Sequence, residues 1–215
     1  MSEPQAEVEV DYEEFTRMAD YVSGHLEDTV RRNGDRMRWY PWHSHEYRFD
    51  HTIGVVDLAE RIAREEGADV DVVRVAALFH DVAKFEVKQE KHAEEGAWTV
   101  RKYLSREGYP EAFVERVARS VRQHTDDLHE DMPLESIVLI EADSIDKIGV
   151  GGATLLALRV GYESRPHTDV PEMIERVVDR GERVSERLLT ETGRRIARER
   201  TERVKTYLAW FEDEI

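Results

Sequence analysis

The run Ala76-Ala77-Leu78-Phe79-His80-Asp81-Val82-Ala83-Lys84 delivers an imidazole and a carboxylate side by side at the end of an apolar stretch, with an amine one turn later. Adjacent side chains on a helix do not face each other, but both reach one point if it lies near the helix end. A neutral imidazole and a carboxylate together suit a borderline or hard divalent cation. A hydrogen-bonded polar pair at a helix end would produce the same dipeptide, so the remaining His and Asp residues decide between the two.

Helical periodicity bears on that choice without closing it. Asp11 caps a helix whose stripe is Phe15, Met18, Val22, Leu26 and Val30, and Asn33-Gly34 ends it; His25 lies near that stripe as a packed residue. Residues up to Val10 read as a frayed lead-in. Trp39-Tyr40-Pro41-Trp42 is an aromatic loop followed by His43 and His45, an H-x-H pair without the strand it would need to bind metal. A second helix is expected from about Asp50 to Glu66, with His51 in its first turn. Asp69 caps a third that carries His80 in line with Val73 and Ala76. His92 opens a fourth. A fifth bears Phe113, Val117 and Val121, and His124 continues that stripe. Pro133 fits the first turn of a sixth, on which Ile137 and Ile140 are followed by Asp143. His80, His124 and Asp143 therefore extend apolar faces, where a charge-capable group needs a partner. Gly149-Val150-Gly151-Gly152 lacks the Gly-Lys-Ser/Thr of a phosphate loop and reads as a closely packed helix end. Residues 153–162 read as helix, and 162–169 is the one place compatible with a short hairpin. From Pro171 the chain reads as two charged amphipathic helices broken around residues 190–193.

The order His51, His80-Asp81, Asp143 along these helices resembles the HD-domain superfamily of metal-dependent phosphohydrolases. The likeness extends through His51-Thr52-Ile53-Gly54-Val55-Val56-Asp57-Leu58-Ala59, through the Ala76–Lys84 run, and through Glu141-Ala142-Asp143-Ser144-Ile145-Asp146-Lys147-Ile148-Gly149. His92 with Gly96-Ala97, and Gln123-His124, look like the extra histidines of certain subfamilies. Residues 192–200 and 207–211 look like the long carboxy-terminal helix of small stand-alone HD hydrolases, some of which cleave nucleoside triphosphates or other phosphate esters and anhydrides. One departure is Gly54, where relatives often carry Arg.

The resemblance implies an all-α HD-domain helical bundle with long C-terminal amphipathic helices. It implies one domain over residues 1–215, with a metal-site core at about 45–150 and a helical extension at 170–215. It implies that His51, His80, Asp81 and Asp143 hold one divalent metal (Mn, Mg, Fe, Ni, Co or Zn). His92 and His124 would then face phosphate or complete a weaker second metal site bridged by Asp81. Lys84 is placed to contact phosphate, and Asp146 to position water or sugar. The implied activity is hydrolysis of a phosphoester or phosphoanhydride bond in a small nucleotide or related phosphate compound. A catalytically inactive metal- or nucleotide-binding module is the alternative.

Composition narrows the partners. The 215 residues carry a formal net charge of -16, which repels nucleic-acid backbones and acidic membranes but leaves room for a small phosphorylated substrate. There is no Cys, hence no disulfide and no thiol nucleophile. The acidic start is not a signal peptide and no apolar run reaches spanning length, so a cytoplasmic protein is expected, compatible with a homo-oligomer. Arg outnumbers Lys on an acidic surface, which fits either a high-salt cytoplasm or a GC-rich genome. The high-salt reading makes a direct prediction. Self-repulsion acts over a screening length of about 30 Å at 0.01 M salt. The thermal midpoint should then climb substantially from low salt to molar KCl; a flat response leaves base composition as the explanation.

Overall fold

The computed structural model describes residues 8–33 and 44–214. Among them there are nine α-helices and no strand. The aromatic loop, His43 and Gly34 lie outside the described residues.

Helix α1 (Tyr12–Asn33) starts at a reciprocal cap: Glu14 N–H donates to Asp11 Oδ1 at 2.8 Å, and Asp11 N–H donates to Glu14 Oε2 at 2.9 Å. Its expected stripe holds, with Met18, Val22 and Leu26 buried and Phe15 and Val30 packed beside them. His25 is half-buried and meets Glu86 at 3.0 Å, tying α1 to the turn after Asp81. The frayed lead-in is corrected at its last residue. Val10 is buried, because Asp71 Oδ1 accepts its N–H at 3.2 Å and Arg74 donates to its carbonyl.

Helix α2 (His45–Glu66) begins five residues before the expected Asp50. Ser44 supplies the cap, its hydroxyl accepting the Tyr47 N–H at 3.2 Å. His51 is consequently in the second turn and buried, not in the first. His45, in the first turn, lies 3.4 Å from Glu46. Gly67 adopts the left-handed conformation that ends α2.

Helices α3 (Val70–Phe79), α4 (His92–Arg106), α5 (Glu111–Gln123) and α6 (Leu134–Asp146) follow the sequence reading closely. Asp69 caps α3 by accepting the Val72 N–H at 3.2 Å. Pro133 is the residue just before α6, where its fixed φ starts the helix without costing a hydrogen bond. α2 packs on α3 and α6, α3 packs on α5, and α4 and α5 form a hairpin.

Helix α7 (Val150–Tyr162) starts three residues earlier than expected. The close packing expected of the glycines holds at Gly152, where a Cβ would stand 2.6 Å from the Lys147 carbonyl oxygen, and not at Gly151, which faces open space. The allowance for a hairpin at 162–169 is not taken up; a turn and a short 3-10 segment occupy it. Helices α8 (Val170–Arg187) and α9 (Glu191–Glu214) form a second hairpin. One apolar cluster runs through α1–α6 and the start of α9, and a smaller one joins α7, α8 and α9.

Glu141 on α6 fastens the two clusters together. It is fully buried, and its Oε1 accepts from Leu189 N–H at 2.6 Å and from Thr190 N–H at 2.9 Å, while Oε2 accepts from the Thr190 hydroxyl. Burial raises its pKa against those donors. Glu141→Ala would leave two backbone N–H groups without partners, at about 1–3 kcal/mol each. Urea unfolding should therefore show a loss of about 2–4 kcal/mol; a change under about 0.5 kcal/mol, the size of a surface substitution, would show that the latch carries no stability.

Candidate metal centre

Six side chains anticipated from the sequence converge. His51 comes from α2, His80 from the residue ending α3, and Asp81 from the turn beyond it. His92 is the first residue of α4, His124 the residue ending α5, and Asp143 sits in the last turn of α6. All six are buried.

They form two triads among the described residues, His51–His80–Asp143 and Asp81–His92–His124. In the first, Asp143 Oδ1 lies 3.1 Å from His51 Nε2 and 3.7 Å from His80 Nε2. In the second, Asp81 Oδ1 lies 3.2 Å from His92 Nε2 and 3.7 Å from His124 Nε2. The other oxygen of Asp81, Oδ2, faces the first triad, 3.5 Å from His80 Nε2 and 4.0 Å from His51 Nε2. Asp81 thus stands between the triads with one oxygen toward each.

The protonation of the rings follows from what holds them. Nδ1 of His80 meets the Ala77 carbonyl at 2.7 Å, Nδ1 of His124 meets the Val121 carbonyl at 2.6 Å, and Nδ1 of His92 meets the Gln89 carbonyl. A carbonyl only accepts, so each Nδ1 carries the proton and each Nε2 presents a lone pair to the centre. His51 Nδ1 is held by Asp146 Oδ2 at 2.6 Å. Burial opposes charge on His51, but Asp143 and Asp146 on either side outweigh it and raise its pKa. Burial likewise opposes the charge on Asp81 and Asp143. His80 and Arg48 beside Asp81, and Lys147 and His51 beside Asp143, hold both carboxyls well below the ordinary range.

His51 Nε2, His80 Nε2, Asp81 Oδ1 and Asp143 Oδ1 are buried without a hydrogen-bond partner. His92 Nε2 and His124 Nε2 stand 3.1 Å apart, and with both protons on Nδ1 neither has one to give the other. Orphaned acceptors of this kind cost about 1–3 kcal/mol each. Their common remedy is a cation, and N/O ligands of this mixture fit a divalent transition metal or Mg. The residues present therefore fit the metal expected from the sequence.

Three side-chain cations flank the acceptors. Arg48 reaches Asp81 Oδ2 at 2.7 Å, Lys84 lies 3.2 Å from Asp81 Oδ1 and 3.1 Å from His92 Nε2, and Lys147 pairs with Asp143. Burial lowers the Lys84 pKa despite Asp81. Lys84 was expected and points inward. Asp146, expected near water or sugar, holds His51 Nδ1 with its Oδ2 and also lines the adjoining cavity. Arg48 went unnoticed in the sequence. Its signal was its place three residues before His51, one turn away, which counts only if α2 starts before Asp50.

Residues 48–148 match the HD domain family. Among curated proteins, a symmetrical bis(5'-nucleosyl)-tetraphosphatase of Halalkalibacterium halodurans is 33% identical, the match covering 48% of this chain and 63% of that protein. The chain thus spans under two thirds of that relative's length. Bacillus subtilis YpgQ, in a crystal structure with ADP, superposes with a TM-score of 0.60 at 22% identity over 92% of this chain and 97% of that one. An HD-superfamily hydrolase of Bacillus thuringiensis gives a TM-score of 0.65 at 16% identity over 93% and 97%. The family match thus spans a little under half of this chain, and the helical bundle shares its fold with these solved structures.

Gly54, the departure noted in the sequence, has a structural consequence. A Cβ there would stand 2.7 Å from Asp146 Oδ1. Only a bare backbone at this point of α2 lets Asp146 reach His51. Partners of metal-bound histidines typically contribute 10–100-fold to metal affinity. Alanine in a helix interior is about 1 kcal/mol better than glycine. Gly54→Ala should therefore weaken divalent-metal binding by about ten-fold or more in titration calorimetry while the thermal midpoint does not fall. Unchanged affinity would remove Asp146 from the metal centre.

Proposed function

We propose that the chain is a metal-dependent phosphohydrolase that cleaves a phosphoester or phosphoanhydride bond of a small nucleotide or related phosphate compound. The observation that carries this reading is the pair of acceptor triads joined by Asp81, with their Nε2 lone pairs locked inward. The relative named for a tetraphosphatase activity and the neighbour crystallised with ADP support a nucleotide with more than one phosphate.

His51, His80, Asp143 and Asp81 Oδ2 would hold one cation; His92, His124 and Asp81 Oδ1 would hold a second. The sequence left His92 and His124 open between phosphate and metal, with one tightly held ion preferred. Their tautomers favour the metal, because a phosphate oxygen and an imidazole lone pair are both acceptors and repel. Bound divalent cations supply a nucleophile at neutral pH and offset charge on phosphate oxygens. The chain's own residues do the rest. Asp146 orients His51, Arg48 and Lys84 present donors at the edge of the centre where phosphate oxygens would lie, and the burial of all six ligands keeps bulk water from competing.

A released-product screen over nucleotides and phosphoesters, with Mn, Mg, Ni and Co supplied separately, tests the activity. Asp81→Ala should abolish turnover with helical content near native; full activity at matched metal loading would sink the assignment. His124→Ala should lower metal from about two per chain to about one at saturating supply. An unchanged metal content with a raised Michaelis constant would return His124 to phosphate binding.

A further inference from the structure

The two triads differ in what already meets their lone pairs. In the first, His51 Nε2 and His80 Nε2 have no hydrogen-bond partner. In the second, Lys84 Nζ stands 3.1 Å from His92 Nε2 and 3.2 Å from Asp81 Oδ1. The Gln89 carbonyl holds the His92 proton on Nδ1, which leaves that ring one lone pair, on Nε2. The contact is therefore a lysine N–H donated into the one lone pair that His92 has.

The second triad otherwise has the spacing of a metal site. Its three inward atoms lie 3.1, 3.2 and 3.7 Å apart. Nitrogen and oxygen ligands about 2.1 Å from a shared ion stand about 3 to 3.6 Å from each other. The other two side-chain cations at the centre do not obstruct an ion in this way. Arg48 and Lys147 donate to Oδ2 of Asp81 and of Asp143. A carboxylate has about four lone-pair sites, enough for a donor and an ion together, whereas a neutral imidazole has one.

The fold places Lys84 there. After α3 the chain runs through successive short turns: Val82 N–H donates to the Phe79 carbonyl at 3.1 Å, Lys84 N–H to Asp81 at 2.9 Å and Glu86 N–H to Ala83 at 3.0 Å. Side chains three residues apart eclipse in such a run, which sets Lys84 over Asp81. Val82, Ala83 and Phe85 are buried, and Asn33 donates to the Phe85 carbonyl at 2.7 Å. The backbone is pinned, so only the flexible four-carbon stem of Lys84 is free to swing.

We propose that Lys84 is a built-in competitor of the second divalent cation, its amine and that ion excluding each other at His92 Nε2. The chain then holds one ion tightly at His51–His80–Asp143 and takes another at Asp81–His92–His124 only when Lys84 swings away. Lys84 thereby sets how many ions the centre holds. A phosphate oxygen at the edge of the centre offers the displaced amine a new acceptor, so phosphate and the second ion favour each other. The inference rests on the metal-centre reading above and names a residue that governs its occupancy.

The test is binding of Mn to the full chain, followed by titration calorimetry and elemental analysis. K84M replaces the amine with an apolar side chain of similar length. It should bind the second ion about ten-fold or more tighter than the wild type, and the first ion within about two-fold. In the wild type, labelling of Lys84 by acetic anhydride, read by mass spectrometry, should rise as the second ion fills, with exposed Lys102 as the unchanged reference. That readout decides alone if K84M does not fold. A second-ion affinity in K84M equal to or below that of the wild type overturns the proposal. Two equally tight ions in the wild type, or Lys84 labelling that stays flat through the second binding step, also overturn it. A wild type that binds no ion at all is a different failure, and defeats the metal centre on which the proposal rests.

Discussion

In this chain a backbone carbonyl decides the protonation of each of three buried imidazoles. His80, His92 and His124 all turn Nδ1 toward the carbonyl three residues before them. With that proton committed, each Nε2 is a bare acceptor, and the acceptors face one another and two ionised carboxylates. Such a gathering is unfavourable in a protein interior unless cations balance it. Arg48, Lys84 and Lys147 supply part of that balance from the rim, and the two triads are where divalent ions could supply the rest. The bundle around the centre can be understood as the apparatus that keeps five helix segments close enough for this arrangement to persist.

Two contacts far from the ligands serve that end. Glu141 sits two residues before Asp143 and is anchored by the α8–α9 connection, so the tail hairpin fixes the end of α6. His25 meets Glu86 in the turn between Asp81 and His92, so α1 braces the segment joining two members of the second triad. Neither residue touches the centre. Each stiffens an element that delivers a ligand, and a centre of this kind depends on ligand placement within about 0.5 Å.

The sequence made the helices legible wherever apolar spacing and a cap coincided. Asp69, the Val73–Ala76–His80 line, the Val117–Val121–His124 line and Asp143 after Ile140 all read correctly, because a polar group continuing an apolar stripe has few structural excuses. The start of α2 did not read, because Ser44 caps a first turn of His45, Glu46, Tyr47 and Arg48 that shows no apolar stripe. That one error displaced His51 by a turn and hid Arg48. Tautomers, the two-sided placement of Asp81 and the Asp146–His51 bond were beyond reach, since each depends on helices distant in sequence.

Helix ends arrange the remaining electrostatics. The carboxy-terminal ends of α3, α5 and α6 carry His80, His124 and Asp143 to the centre, and each brings the partial negative charge of its last carbonyls. Only α4 enters by its amino-terminal end, through His92. At about 0.3–1 kcal/mol per terminus, up to about 2 where partly buried, three ends against one leave a net field that favours cations. α7 turns its uncapped amino-terminal end toward the cavity beside His51 and Asp146, with the opposite sign. Negative potential therefore collects where Asp81, Asp143 and the imidazole Nε2 atoms converge, and the amino-terminal end of α7 bounds it.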